Sequence, residues 1–160
     1  GYKAKGEEAM DAPLDIIFNK DNFLPVFNQD IITAKKEIVI VSPFIRKRRT
    51  HQMKQHLKIS IGKNIRVIVV TRPKEDFKPQ DHAAMQRTLD LLTNNGVRVA
   101  FKSNIHQKFA IMDQKVVWYG SINLLSYGSA QESIMRIESS NIANELMKSI
   151  EGASPQNNVR

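Results

Sequence analysis

The sequence predicts an α/β protein with a mixed, mostly parallel sheet flanked by helices. Three observations carry that expectation. First, the runs Ile38–Ser42 (I-V-I-V-S) and Ile65–Thr71 (I-R-V-I-V-V-T) are almost wholly apolar, as strands covered on both faces are. Second, stretches with apolar residues at helical spacing separate these runs from each other and from a third, Val97–Phe101. The resulting βαβαβ order with short connections favours parallel pairing. Third, the pattern changes after residue 105. Lys108–Met112 and Val116–Tyr119 are separated only by Asp113-Gln114-Lys115, a length that suits an antiparallel hairpin.

Residues 1–13 are polar and aperiodic and read as a loose arm, and Leu14–Phe18 as a short edge strand. A helix is expected from Asp21 to Glu37. Asp21 is its N-cap candidate, Pro25 lies in its first turn, and Phe23, Phe27, Ile31 and Ala34 form its stripe. After the first buried strand, Arg49–Lys63 carries Met53, Leu57 and Ile61 at helical spacing, with Gly62 near its end. Asp81 precedes a helix marked by Met85, Leu89 and Leu92 that stops at Asn95-Gly96. Beyond the hairpin, Ser133–Ile137 reads as a strand and Asn141–Ile150 as a closing helix. The stretch 152–160 has no apolar pattern and reads as a flexible tail, so one domain is expected over 14–151.

The chain has 160 residues, enough for one domain with a substantial core, and is 41% hydrophobic. It contains no cysteine, which removes disulfides, thiolate catalysis and cysteine–zinc sites. No apolar run is long enough to span a bilayer and the N-terminus has no signal-peptide pattern, so the expectation is a cytoplasmic protein without stable membrane association. The arbitrary-looking ends suggest a domain of a larger DNA-processing protein, such as a helicase or restriction factor. The net charge of +8 is unevenly spread. Residues 35–108 hold 17 Lys/Arg against 5 Asp/Glu, a net +12, and the remainder is net −4. That asymmetry points to a polyanionic partner, because each phosphate neutralised releases condensed counterions. The run Arg46-Lys47-Arg48-Arg49 follows the first buried strand, where open α/β sheets gather ligands, and is the candidate phosphate-binding segment. Cations at a helix start oppose the helix dipole, which favours a functional reason for them. His51, His56 and His82 form no recognisable ligand set, and no phosphate-binding glycine motif is present.

The chemistry concentrates between residues 106 and 132. His106 and Lys108, two apart on an extended segment, share a face. Asp113 follows at the hairpin turn, Gly120-Ser121-Ile122-Asn123 follows the next strand, and Glu132 comes after a polar link. A neutral imidazole attacks phosphorus when a partner on its other nitrogen orients the ring, and a phosphoryl transition state needs donors and positive charge on its non-bridging oxygens. Lys108 offers the charge, Ser121 and Asn123 the neutral donors, and Glu132 a carboxylate to hold His106. Gly120 allows a tight turn and close approach to a phosphate. Taken singly, each of these residues is an ordinary surface or turn residue, and Trp118 in its apolar strand is more simply core than a base-stacking group.

Together, H-Q-K-F-A-I-M-D, G-S-I-N and the following Glu132 resemble the phospholipase D superfamily, whose signature is H-x-K-x4-D followed by G-S-x-N and an acidic residue. The segments Val41-Ser42-Pro43-Phe44 and Asn95-Gly96-Val97-Arg98-Val99 extend the resemblance across residues 20–150. It implies a phospholipase D-like sandwich. It also implies metal-independent phosphodiester hydrolysis without a cofactor, through a covalent phosphohistidine on His106, with Asp113 in a supporting or structural role. In that family a histidine from a second motif copy protonates the leaving group. One copy here implies a homodimer, as in the family's single-motif nucleases. A nuclease acting on DNA or RNA is the leading expectation. A phospholipid phosphodiesterase or phosphatidyl transferase and a non-catalytic nucleic-acid-binding module are the alternatives.

Overall fold

A computed structural model describes residues 16–156; the arm read at 1–13, Leu14 and the end of the tail lie outside the described residues. The elements run β1 (Ile17–Asn19), α1 (Leu24–Thr33), β2 (Glu37–Val41), α2 (Lys47–Gly62), β3 (Arg66–Thr71), α3 (His82–Asn94), β4 (Arg98–Phe101), β5 (Phe109–Met112), β6 (Val116–Gly120), β7 (Ser133–Glu138), α4 (Ser140–Ser149) and β8 (Ser154–Pro155). The eight strands among the described residues join one sheet in the order β1-β7-β6-β5-β2-β3-β4-β8.

The βαβαβ half forms as expected, with β2 pairing β3 and β3 pairing β4 in parallel. The rest of the sheet shifts the balance. β5 lies antiparallel to β2, and β6, β7 and β1 continue antiparallel outward, so the sheet is mixed but mostly antiparallel. The reason is connectivity: no helix crosses over between β5 and β6, and a three-residue turn can only reverse the chain. The stretch after residue 151 also differs from the patternless tail expected. Ser154 and Pro155 pair with Phe101 and Ala100, and the Gln156 N–H reaches the Val99 carbonyl at 2.8 Å. Two residues are too few to show a period.

The helices cover the sheet unevenly. α1, α2 and α3 bury Phe27, Ile31, Met53, Leu57, Leu89 and Leu92 on the face that presents Ile38, Ile40, Ala110 and Trp118. α4 covers the other face, packing Ala143 and Leu146 on Val39, Val41, Phe109 and Ile111. β2 is buried at all five positions, which accounts for the apolar run Ile38–Val41, and the one carboxylate among them, Glu37, is paired with Arg66 at 2.6 Å. α1 is shorter than the pattern predicts, starting after Phe23 rather than at Asp21. Asn19 closes the preceding turn instead, accepting the N–H groups of Asp21 and Asn22 on its side-chain oxygen. Trp118 is fully buried among Phe18, Phe23 and Phe27 and donates to Asp30 at 2.7 Å. Arg136 pairs with both oxygens of the same carboxylate, so the buried charge of Asp30 is compensated.

Candidate active site

The carboxyl ends of β2 and β3 define one edge of the sheet, and the register brings both polar motifs to it. Val41 at the end of β2 pairs with Phe109 at the start of β5, so Lys108 lies at this edge, with His106 two residues upstream. The β5–β6 ladder pairs Phe109 with Tyr119, and the Gly120 N–H continues it by donating to the Lys108 carbonyl at 3.3 Å. The H-x-K segment and the G-S-x-N segment are therefore directly adjacent, although twelve residues separate Lys108 from Gly120. His106 is exposed and Lys108 half-buried, and the Lys108 ammonium donates to the His106 carbonyl at 2.7 Å. That bond holds the two residues in one local arrangement and leaves the ammonium two further N–H donors.

Asn123 is half-buried, and its side-chain oxygen is buried without a hydrogen-bond partner among the described residues. Leaving such an acceptor unpaired costs about 1–3 kcal/mol, which marks it as a group to explain. The loop around it is firmly anchored. The Leu125 N–H donates to Ser42 Oγ at 3.2 Å, the Arg46 N–H donates to the Leu125 carbonyl at 2.7 Å, and Ile122, Leu124 and Leu125 are fully buried. The V-S-P-F turn after β2 thus supports the Asn123 loop and delivers the basic segment to the same edge.

Other predicted residues have side chains engaged elsewhere. The Ser121 hydroxyl donates to the Ser133 carbonyl at 3.2 Å and accepts the Ser133 N–H at 3.0 Å, so it fastens the start of β7 rather than standing free as a donor. Gly120 has a packing reason for its identity. A Cβ there would run into the Ser133 carbonyl oxygen and lie 2.7 Å from Ile134 Cα, so β7 can approach only a glycine. Glu132, the residue before Ser133, is half-buried, and no hydrogen bond joins it to His106 among the described residues. Arg46, Lys47 and Arg48 are exposed at the N-terminal end of α2. Arg49 turns inward, with its Nε donating to the Tyr127 carbonyl at 3.0 Å and its guanidinium 3.9 Å from the Tyr127 ring centroid.

Asp113 lies at the opposite end of β5, about 16 Å from Lys108 at strand rise. Its carboxylate accepts the N–H groups of Lys35, Lys36 and Glu37 at 2.9, 2.7 and 3.0 Å. Partial burial pushes its pKa up, but the three backbone donors outweigh that effect and hold it below the ordinary value. Asp113 locks the hairpin turn to the start of β2 and lies too far away to touch a phosphate held at His106.

The family described as "Cardiolipin synthase, PLD-like domain" matches residues 27–153, most of the chain. The chain belongs to this phospholipase D-like family. No curated protein sequence matches it significantly. Among solved structures it is similar to Nuc, a phospholipase D family member from Salmonella typhimurium, with a TM-score of 0.68 and 14% identity over 88% of this chain and 95% of the other. NucT from Helicobacter pylori gives a TM-score of 0.67 at 16% identity, covering 88% of this chain and 97% of NucT. A phosphatidylserine synthase from Haemophilus influenzae gives 0.59 at 12% identity, over 84% of this chain and 37% of that one. At these identities the structural likenesses speak to the fold.

Two residues at the same edge lie outside the phospholipase D-like motifs. Arg72, the residue after β3, forms an ion pair with Asp76 at 3.0 Å, and Asp76 also accepts the N–H of Asn104 at 3.1 Å, two residues before His106. The Asn104 N–H and the Arg72 guanidinium together lower the Asp76 pKa. The only sequence signal for Arg72 is its place after a buried parallel strand. Asp76 ends a three-residue 3-10 turn, Lys74–Asp76, too short to show a period. Among the described residues, no group of three or more His, Cys, Asp or Glu is placed to hold a metal ion, and no helix is long and apolar enough to cross a membrane.

Proposed function

We propose that the chain is a phosphodiesterase, specifically a metal-independent nuclease acting on DNA or RNA through His106. The observation that carries this reading is the backbone pairing of Lys108 with Gly120, which puts His106, Lys108 and Asn123 at the carboxyl edge of β2 and β3 beside the exposed cations of α2. In the proposed reaction an imidazole nitrogen of His106 attacks phosphorus and forms a P–N bond as the bond to the leaving oxygen breaks. Lys108 and the Asn123 amide offset charge on the non-bridging oxygens. The leaving oxygen takes its proton from His106 of a second copy across a two-fold axis. Water then breaks the P–N bond and returns its proton to that second histidine. In this scheme Glu132 orients an imidazole once the two copies and substrate are assembled.

The cationic segment at residues 46–48 favours nucleic acid over lipid as the substrate, since a polyphosphate backbone returns a counterion-release gain for each contact. The test is hydrolysis of a fluorescent oligonucleotide and of phospholipid vesicles, each with and without excess EDTA. The reading expects oligonucleotide cleavage that persists in EDTA and a dimer by light scattering. A strict need for a divalent ion, or full activity in a strict monomer, contradicts it. Cleavage of vesicle lipid alone supports the lipid alternative, and binding without cleavage the non-catalytic one.

A further inference from the structure

A cleft of about 410 Å³ opens between the starts of α2 and α3, on the carboxyl edge that carries Lys108. Its size falls in the range of small-ligand pockets, about 300–1,000 Å³. Phe44 and Phe77 line it, with ring centroids 5.6 Å apart and planes at 72°. Phe77 packs on the core, whereas Phe44 remains 41% exposed at the mouth of the cleft. The Arg72 guanidinium lies 5.8 Å from the Phe44 centroid and 5.7 Å from that of Phe77. It is pinned by Asp76, and the arginine and aspartate side chains are only 16% and 14% exposed. The same Asp76 carboxylate holds the backbone just before His106, so the exposed ring and the candidate nucleophile share one rigid support.

The rim of this cleft is cationic. Arg46, Lys47 and Arg87 line it and are exposed, against one carboxylate, Asp81. None of the three cations forms an ion pair with a described residue. A flat apolar ring with cations around it matches a nucleobase flanked by its phosphates: the ring takes the π-face of the base and the cations take the backbone.

We propose that Phe44, backed by Phe77 and Arg72, is a stacking platform for one unpaired base, and that the chain therefore acts on single-stranded nucleic acid. This rests on the nucleic-acid reading above and narrows it. In a duplex the base faces are covered by their neighbours and an aromatic ring has nothing to stack on, so the platform selects strands that are single or frayed.

The test uses the full chain carrying His106→Asn, so that bound strands are not cut. Its affinity is compared for labelled single-stranded oligonucleotides with bases, the same strand with an abasic stretch, and the duplex, at one salt concentration. The expected result is about 5- to 150-fold weaker binding of the abasic strand, the span of a single base–aromatic stack. Phe44→Leu should erase that difference. Phe44→Trp should keep it, with its fluorescence quenched on binding while the fully buried Trp118 is unaffected. Equal affinity for base-bearing and abasic strands, or discrimination unchanged in Phe44→Leu, overturns the platform while leaving the nuclease reading standing. Failure to bind any oligonucleotide overturns both.

Discussion

The two ends of β5 are built to opposite rules. At one end the Asp113 carboxylate is saturated: three backbone N–H groups converge on it, and these bonds offset its left-handed backbone, at φ 55°, by tying the hairpin to β2. At the other end His106 is exposed, the Lys108 ammonium has donors to spare, and the Asn123 side-chain oxygen has no partner among the described residues. Four strand residues separate a finished hydrogen-bond site from one with capacity left over. The contrast shows that a motif read as one unit, H-x-K-x4-D, divides between two tasks. Its first two members sit at the carboxyl edge of β2 and β3, where the proposed chemistry would take place, and its third secures the strand that carries them.

The same contrast sets out the mutational expectations. On the proposed mechanism, Lys108→Ala removes the positive charge from the His106 end of β5 and should lower kcat by about 10²–10³, the usual cost of losing one transition-state donor, with little change in thermal stability. A Lys108→Ala protein with near-normal kcat would move the charge stabilisation to another residue. Acid should act on the other end. Asp113 has a folded pKa below its ordinary 3.8, so the stability it contributes is fully present above that value and is lost as pH falls through the lowered folded pKa. Melting temperature followed from pH 6 to pH 2 should fall below pH 4 in the parent protein and fall less in Asp113→Asn. Parallel curves would mean the three N–H bonds do not distinguish the charged carboxylate. The smallest effect is electrostatic. Replacing Arg46, Lys47 and Arg48 with Ala should shallow the salt dependence of nucleic-acid affinity, by about 0.7–0.9 in log–log slope for each phosphate no longer neutralised. Arg49, committed to Tyr127, should change stability more than slope.

Much of this was legible in the sequence because the signals were local. The buried strands β2 and β3, the hairpin and the spacing of His106, Lys108 and Gly120-Ser121-Ile122-Asn123 each sit within a short window. What escaped depends on pairing across the chain. The mostly antiparallel balance of the sheet follows from β5 landing beside β2 rather than beside β4, a choice that no single segment records. Ser121 reads as a donor by composition, but its bonds go to Ser133, twelve residues on. Gly120 reads as a phosphate-approach glycine, yet the close approach it permits is that of β7. Asp21 fits the N-cap preference, but Asn19 closes that turn and the helix starts at Leu24.

The division of labour along β5 is tested most directly by measuring turnover and melting temperature together in His106→Asn and Asp113→Asn. His106→Asn should abolish oligonucleotide cleavage at an unchanged melting temperature. Asp113→Asn should lower the melting temperature by about 2–8 °C, from a loss of about 1–2 kcal/mol of charge-assisted hydrogen bonding, and keep most of its turnover below the transition. A cold, fully folded Asp113→Asn protein without turnover, or a His106→Asn protein that still cleaves, would contradict the account.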